Sequence, residues 1–131
     1  MPAKPSVLVV DDNDDSRDLL AEYLSLAGFD VTTAADGVAA VTRAEQLHPQ
    51  VVLMDLGLPG MMDGCEATRH IKASPMTQNT VVIAVTAHAF PHEQQKAMHA
   101  GCHAVMTKPL DVAKLAALVE SVIRQRTDVA S

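Results

Sequence analysis

Short unbroken runs of apolar residues alternate with longer segments in which apolar positions recur at helical spacing. The runs are Val7–Val10, Val31 with its neighbours, Val51–Met54, Val81–Val85 and Ala104–Met106. Strands without polar alternation suit a parallel sheet covered by helices on both faces. Between the runs the apolar period is about 3.6 residues. Leu19, Leu20, Tyr23, Leu24 and Ala27 form one stripe. Val38, Val41, Ala44 and Leu47 form a second, and Val112, Leu115, Leu118, Val119 and Val122 a third. Weaker helical patterns cover Gly64–Lys72 and His92–Ala100. Gly28 and Gly101 stand where a glycine ends a helix. Asp36 and Asp111 stand where a side-chain cap begins one. Asn13, Asp14 and Asp15 read as the cap and acidic first turn of the first helix. The pattern predicts five βα units in an α/β domain with a doubly wound parallel sheet.

Composition narrows the function. The 131 residues fit one domain, placed at 6–126, with 1–5 and 127–131 as flexible termini. Aromatic residues are 2% (Tyr23, Phe29 and Phe90, no Trp), so the core must be aliphatic and almost nothing is left to stack on nucleic-acid bases. A net charge of −6 argues against a phosphate-backbone partner, so no nucleic acid is expected. The apolar runs are far too short to span a membrane, and the N-terminus has no signal-peptide pattern. Cys65 and Cys102 do not make a disulfide framework and read as free thiols of a reducing, cytoplasmic compartment.

In doubly wound sheets ligands bind at the carboxyl ends of the strands. Asp11 and Asp12 follow strand 1, and Asp55 ends strand 3. Thr86 and Ala87 follow strand 4, and Thr107, Lys108 and Pro109 follow strand 5. Under the strand order 2-1-3-4-5, strands 1 and 3 are neighbours, and Asp11, Asp12 and Asp55 share one crevice. Three carboxylates that close repel unless a cation joins them. Oxygen-only donors of this kind suit Mg²⁺, which also binds phosphate. A lysine and a hydroxyl on the far side suit a phosphoryl group. Asp55, between the two halves, is placed to act as a nucleophile toward phosphorus. Taken singly, each residue also has a plain structural reading: a helix start, a strand end, a loop. Their combination over four strand ends is the specific signal.

With these residues in view, the sequence resembles the response-regulator receiver domains of two-component signalling. The resemblance is carried by Val7–Asp12, Val51–Asp55, Leu58-Pro59 with Asp63-Gly64, Val81–Ala87 and Met106–Leu110. It implies the flavodoxin-like (βα)5 fold with strand order 2-1-3-4-5. It also implies Asp55 as phosphoacceptor, Asp12 and Asp11 as Mg²⁺ ligands with the Gly57 carbonyl, and Thr86 and Lys108 as phosphoryl-binding groups. Pro109 is expected after a cis bond. Ala87 keeps the phosphoryl path open, and Gly57 and His88 stand where the family tunes phosphoryl lifetime. The implied partners are a histidine kinase or histidine phosphotransfer protein and a downstream protein effector. The effector is met by the face of helix 4, strand 5 and helix 5.

Two departures stand out. The loop after Asp55 carries one residue more than the usual Asp-x-x-Met-Pro-x-Met-Asp-Gly pattern, with Leu58 in place of Met, and either Met61 or Met62 faces inward. On strand 5 the family places an aromatic residue three positions before the lysine, where this chain has Val105. Phe90 and His103 are candidate substitutes for it. The late histidines, His88, His92, His99 and His103, read as solvated or loop-packing rather than a zinc site, since Pro91 interrupts helical spacing between the first two. Met54, Met98 and Met106 read as core filler.

Other readings remain. Asp12-Asn13-Asp14 after an apolar strand matches the minimal motif of haloacid-type phosphohydrolases, with Asp12 as nucleophile, but leaves Asp55 unexplained. A flavin binder needs a Gly/Ser/Thr phosphate loop after strand 1, where this chain is acidic. A receiver fragment of a hybrid histidine kinase would carry the same residues, as would a receiver that only binds partners. The reading favours a signalling domain over an enzyme proper.

Overall fold

The computed structural model describes residues 4–88 and 90–130, with backbone alone for 126–130. Strands β1 (Ser6–Val10), β2 (Asp30–Ala34), β3 (Val51–Asp55), β4 (Val81–Thr86) and β5 (Ala104–Thr107) alternate with helices α1 (Asp14–Leu26), α2 (Gly37–Leu47), α3 (Gly64–Ala73), α4 (Pro91–Ala100) and α5 (Val112–Ala130). All strand pairs are parallel, in the order β2-β1-β3-β4-β5. The fold is the doubly wound arrangement that the pattern of runs and stripes predicts. Residues 1–3 and 131, parts of the two termini expected to be flexible, lie outside the described residues. The helical backbone of α5 continues to Ala130, past the boundary drawn at residue 126.

The central strands are buried on both faces, which is why their sequences do not alternate. Leu8, Val10, Val52, Met54, Val82 and Ala84 point to one side and pack with alanines of the covering helices, Ala40, Ala44, Ala67, Ala97 and Ala100. Val7, Val9, Val51, Leu53 and Ile83 point to the other and meet Leu20, Leu24, Leu115, Val119 and Val122. Small residues on the first side let α2, α3 and α4 lie close to the sheet. Phe29 is buried in the second cluster. The core is otherwise aliphatic, as the composition requires.

The caps fall where turn chemistry puts them. Asn13 accepts the Ser16 N–H, Asp36 the Ala39 N–H, and Asp111 the N–H groups of Ala113 and Lys114. Gly28 and Gly101 follow α1 and α4 at φ 104° and 113°, a region open to glycine at no steric cost. Two helical stripes are corrected. Leu19 is 69% exposed and Tyr23 36%, so α1 is anchored by Leu20 and Leu24. Val38 and Leu47 are also exposed; of that stripe Ala44 is buried as expected, joined by Gly37 and Ala40 from outside it. The reason is tertiary: α2 packs sideways on α3 as well as on the sheet, which rotates its buried arc toward small residues.

Candidate functional site: an acidic cleft at the strand carboxyl ends

Register brings the strand ends together. β1 pairs with β3 through Val10 and Met54, so the residues that follow, Asp11 and Asp55, emerge side by side. Asp11 and Asp55 are buried and Asp12 is exposed, and one oxygen from each lies within 4.8 Å of the others. The two buried carboxylates are held alike. Asp11 Oδ1 accepts the Asn13 N–H at 2.9 Å, and Asp55 Oδ1 accepts the Gly57 N–H at 2.8 Å. Their second oxygens face one ammonium: Lys108 Nζ stands 3.1 Å from Asp55 Oδ2 and 3.5 Å from Asp11 Oδ2. Burial pulls the Lys108 pKa down, but the bond and charge of Asp55 and the charge of Asp11 outweigh it, and the net shift is upward.

Lys108 owes its place to β5. Its N–H donates to the Thr86 carbonyl at 2.8 Å, extending the β4–β5 ladder, and the bond to Pro109 is cis. Thr86 is buried at the end of β4. Its hydroxyl donates to the His88 carbonyl at 3.0 Å and accepts the His88 N–H at 3.2 Å. These residues open into a cleft of about 650 Å³ lined by Asp12, Asp55, Gly57, Thr86, Ala87 and Lys108, with His88, His92 and Lys96 along its α4 side.

The lengthened loop after Asp55 is resolved at Met62. Met62 turns in against Gly37 and the core beneath α2, whereas Met61 is fully exposed and Leu58 is buried. The N-terminus of α3 sits directly on the end of β3. A Cβ at Gly64 would collide with the Asp55 carbonyl and the Leu56 backbone. Asp63 caps α3 through the Glu66 N–H at 2.9 Å and reaches Lys96 of α4 at 3.9 Å.

Asp63 was not among the candidate residues, although its spacing to Glu66 is a capping-box signal. Arg17 was also missed. Its Nη1 donates to the Asp11 carbonyl at 3.0 Å and its Nη2 to Asp14 at 2.7 Å, the latter legible as an i, i+3 pair. Val105 lies half-buried on β5 against the core beneath α4. Phe90 is exposed, its ring nearly parallel to those of His88 (5.8 Å) and His92 (6.2 Å). Cys65 and Cys102 are buried free thiols. Burial pushes Cys102 up to about 11 and raises Cys65 as well, so neither is a ready nucleophile.

Oxygen donors from three carboxylates, two of them pre-oriented by backbone N–H groups, are a donor set that fits Mg²⁺. A doubly wound domain with acidic residues at the β1/β3 switch point and a lysine opposite defines a class: flavodoxin-like domains with an acidic cleft at the strand carboxyl ends. The particular family follows from comparison. The family model of the response regulator receiver domain matches residues 7–120, and the chain belongs to that family. The polar-differentiation response regulator DivK of Brucella abortus is 30% identical over 116 residues, covering 88% of this chain and 94% of DivK. Among solved structures, the chemotaxis protein CheY4 of Vibrio cholerae superposes with a TM-score of 0.86 at 28% identity, covering 92% of this chain and 99% of that one. The receiver domain of the sensor histidine kinase PA1611 from Pseudomonas aeruginosa PAO1 has a magnesium ion coordinated in its active-site cleft. It superposes with a TM-score of 0.84 at 33% identity, covering 92% of this chain and 98% of that one. Receiver domains are the phosphoacceptor units of two-component signalling. Among the described residues no helix is long and apolar enough to cross a membrane.

Proposed function

We propose that this chain, as one receiver domain over residues 6–126, accepts a phosphoryl group on Asp55 and passes the signal on by a change of surface. The observation that carries the reading is the buried Asp55 carboxylate facing the Lys108 ammonium at 3.1 Å in an open cleft. A nucleophile toward phosphorus needs a neighbouring cation to take up the charge of the incoming oxygens. Asp12 is the exposed member of the acidic cluster, and among the described residues no cation pairs with it at such a distance, which disfavours a phosphohydrolase built on it.

In the proposed transfer an Asp55 oxygen bonds to phosphorus as the N–P bond of a phosphohistidine breaks, and the imidazole leaves with the electron pair. In a separate second step water attacks phosphorus, the Asp55 O–P bond breaks, and Asp55 leaves as a carboxylate with inorganic phosphate released. Asp11, Asp12 and Asp55, with the Gly57 carbonyl, are the groups that would hold Mg²⁺, which supplies charge neutralisation when bound. Lys108 moves from the carboxylates to a phosphoryl oxygen. The Thr86 hydroxyl leaves its turn with His88 for another, and Ala87 leaves the approach open. His88 and Gly57 flank the path of the attacking water. The product adds roughly −1.5 to −2 charges at one point. That charge biases the β4–α4 region and the α4–β5–α5 face, where a protein effector would bind.

The phosphodonor is a histidine kinase or a histidine phosphotransfer protein, and the net charge of −6 favours protein partners over nucleic acid. Likeness to the PA1611 receiver supports a second setting for the same chemistry, as the receiver unit of a hybrid kinase. Incubation with a small phosphodonor and Mg²⁺, followed by peptide mass spectrometry, tests the reading. The adduct is expected on Asp55 and absent from Asp55→Asn. An adduct on Asp12, or none, overturns it.

A further inference from the structure

The Thr86 hydroxyl donates its proton to the His88 carbonyl and accepts the His88 N–H. The His88 ring stacks on Phe90 at 12° between planes, and Phe90 on His92 at 3°. Three near-parallel rings thus join the residue that holds Thr86 to the first turn of α4, where Phe90 is the N-cap residue and Pro91 begins the helix. Phe90 is 55% exposed and belongs to neither core cluster, so core packing gives no reason for an aromatic ring here. Val105, by contrast, is aliphatic and fills part of the core beneath α4.

We propose that Phe90, stacked with His88 and His92, is a positioning residue that holds the Thr86 hydroxyl in its turn and thereby lowers the affinity of the cleft for a phosphoryl group. The proposal rests on the phosphoacceptor reading above. Thr86 can donate to a phosphoryl oxygen only by giving up the bond it donates to the His88 carbonyl. Contacts present in that arrangement alone oppose the step by their full free energy. A stacked aromatic pair contributes, beyond its area, about a two- to tenfold change in an equilibrium. The same three rings tie the position of Thr86 to the start of α4. The link runs from the cleft to the α4–β5–α5 face without an aromatic at position 105.

The test compares wild type, Phe90→Leu and Phe90→Tyr. Each is titrated with beryllium trifluoride, a phosphoryl mimic, at saturating Mg²⁺ and followed by NMR. Phe90→Leu is expected to bind the mimic about two- to tenfold more tightly. Phe90→Tyr, which keeps the ring, is expected to match wild type, and all three to bind Mg²⁺ alone equally. In wild type, the His88 and His92 ring signals shifted by Phe90 are expected to relax on saturation. Equal or weaker binding by Phe90→Leu, or ring signals that do not respond, overturns the proposal and leaves the phosphoacceptor reading standing. Failure of wild type to take up the mimic overturns both. Phe90 is exposed, so an unchanged melting curve of Phe90→Leu confirms that the comparison is between folded proteins.

Discussion

Lys108 and Asp55 are 53 positions apart in the chain and meet at 3.1 Å, Nζ to Oδ2, with Asp11 Oδ2 on the same ammonium at 3.5 Å. The ammonium stands between two buried carboxylates and offsets their mutual repulsion.

That pairing sets an alkaline limit. The folded-state pKa of Lys108 is raised, because Asp55 and Asp11 outweigh the opposing effect of burial. The stability it contributes is therefore fully present below the unfolded lysine value of about 10.4 and is lost as pH rises through the folded value. Without Mg²⁺, Lys108→Met is expected to be less stable than wild type by roughly 1 kcal/mol in urea unfolding at neutral pH. The gap should stay constant up to about pH 10 and close above it. Removing the ammonium should also tighten Mg²⁺ binding, because the carboxylates lose a competing cation. A gap that closes toward acid instead would contradict the assignment.

Mg²⁺ is expected to stabilise the fold through mass action. At about a hundred times its dissociation constant the gain is about 2.7 kcal/mol, roughly 10 °C in the melting temperature of a domain this size. Scanning calorimetry with Mg²⁺ and with a chelator measures it. Asp12→Asn should remove most of the shift while leaving the chelated protein at the wild-type temperature or above, since one of three crowded charges is gone.

Gly64→Ala tests the contact between α3 and the end of β3. The added methyl meets the Asp55 carbonyl, so the helix or the strand end must move. The expected cost is about 1–3 kcal/mol by urea unfolding. A loss of Mg²⁺ affinity should accompany it, because Asp55 moves with its own backbone. Wild-type stability would show that the helix start yields freely.

Arg17 is expected to matter to a site it does not line. It joins the Asp11 carbonyl to Asp14, with its side chain only 15% exposed. Arg17→Ala should cost about 1–2 kcal/mol and weaken Mg²⁺ binding as the β1–α1 turn loosens. Arg17→Lys should restore little of either, because a single ammonium cannot reproduce the guanidinium fork. Calorimetric Mg²⁺ titration of the three proteins reads the effect.

Much of this arrangement is legible in the amino-acid sequence alone. The strands announce themselves because burial on both faces removes polar alternation, and the caps because Asn13, Asp36 and Asp111 act on backbone groups two or three positions away. The identity of the strand-end residues follows once the elements are in order. Which arc of α1 or α2 is buried does not, and Leu19, Tyr23, Val38 and Leu47 face outward against the helical stripes. A stripe shows that a helix has an apolar side; the sheet edge and the neighbouring helix, α5 for α1 and α3 for α2, select how much of it is covered.

What the sequence by itself determined is therefore local: element type, order, caps, and an acid, hydroxyl and lysine at successive strand ends. All of these depend on a few consecutive residues. Only the tertiary structure decided that Lys108 serves Asp55 and Asp11 together, that Met62 rather than Met61 fills the longer loop, and that Thr86 rests on His88 beside a three-ring stack. The first two depend on parallel strands and packed helices bringing distant segments into contact. The third depends on how a short turn meets the start of α4, and no periodicity in the chain records such a meeting.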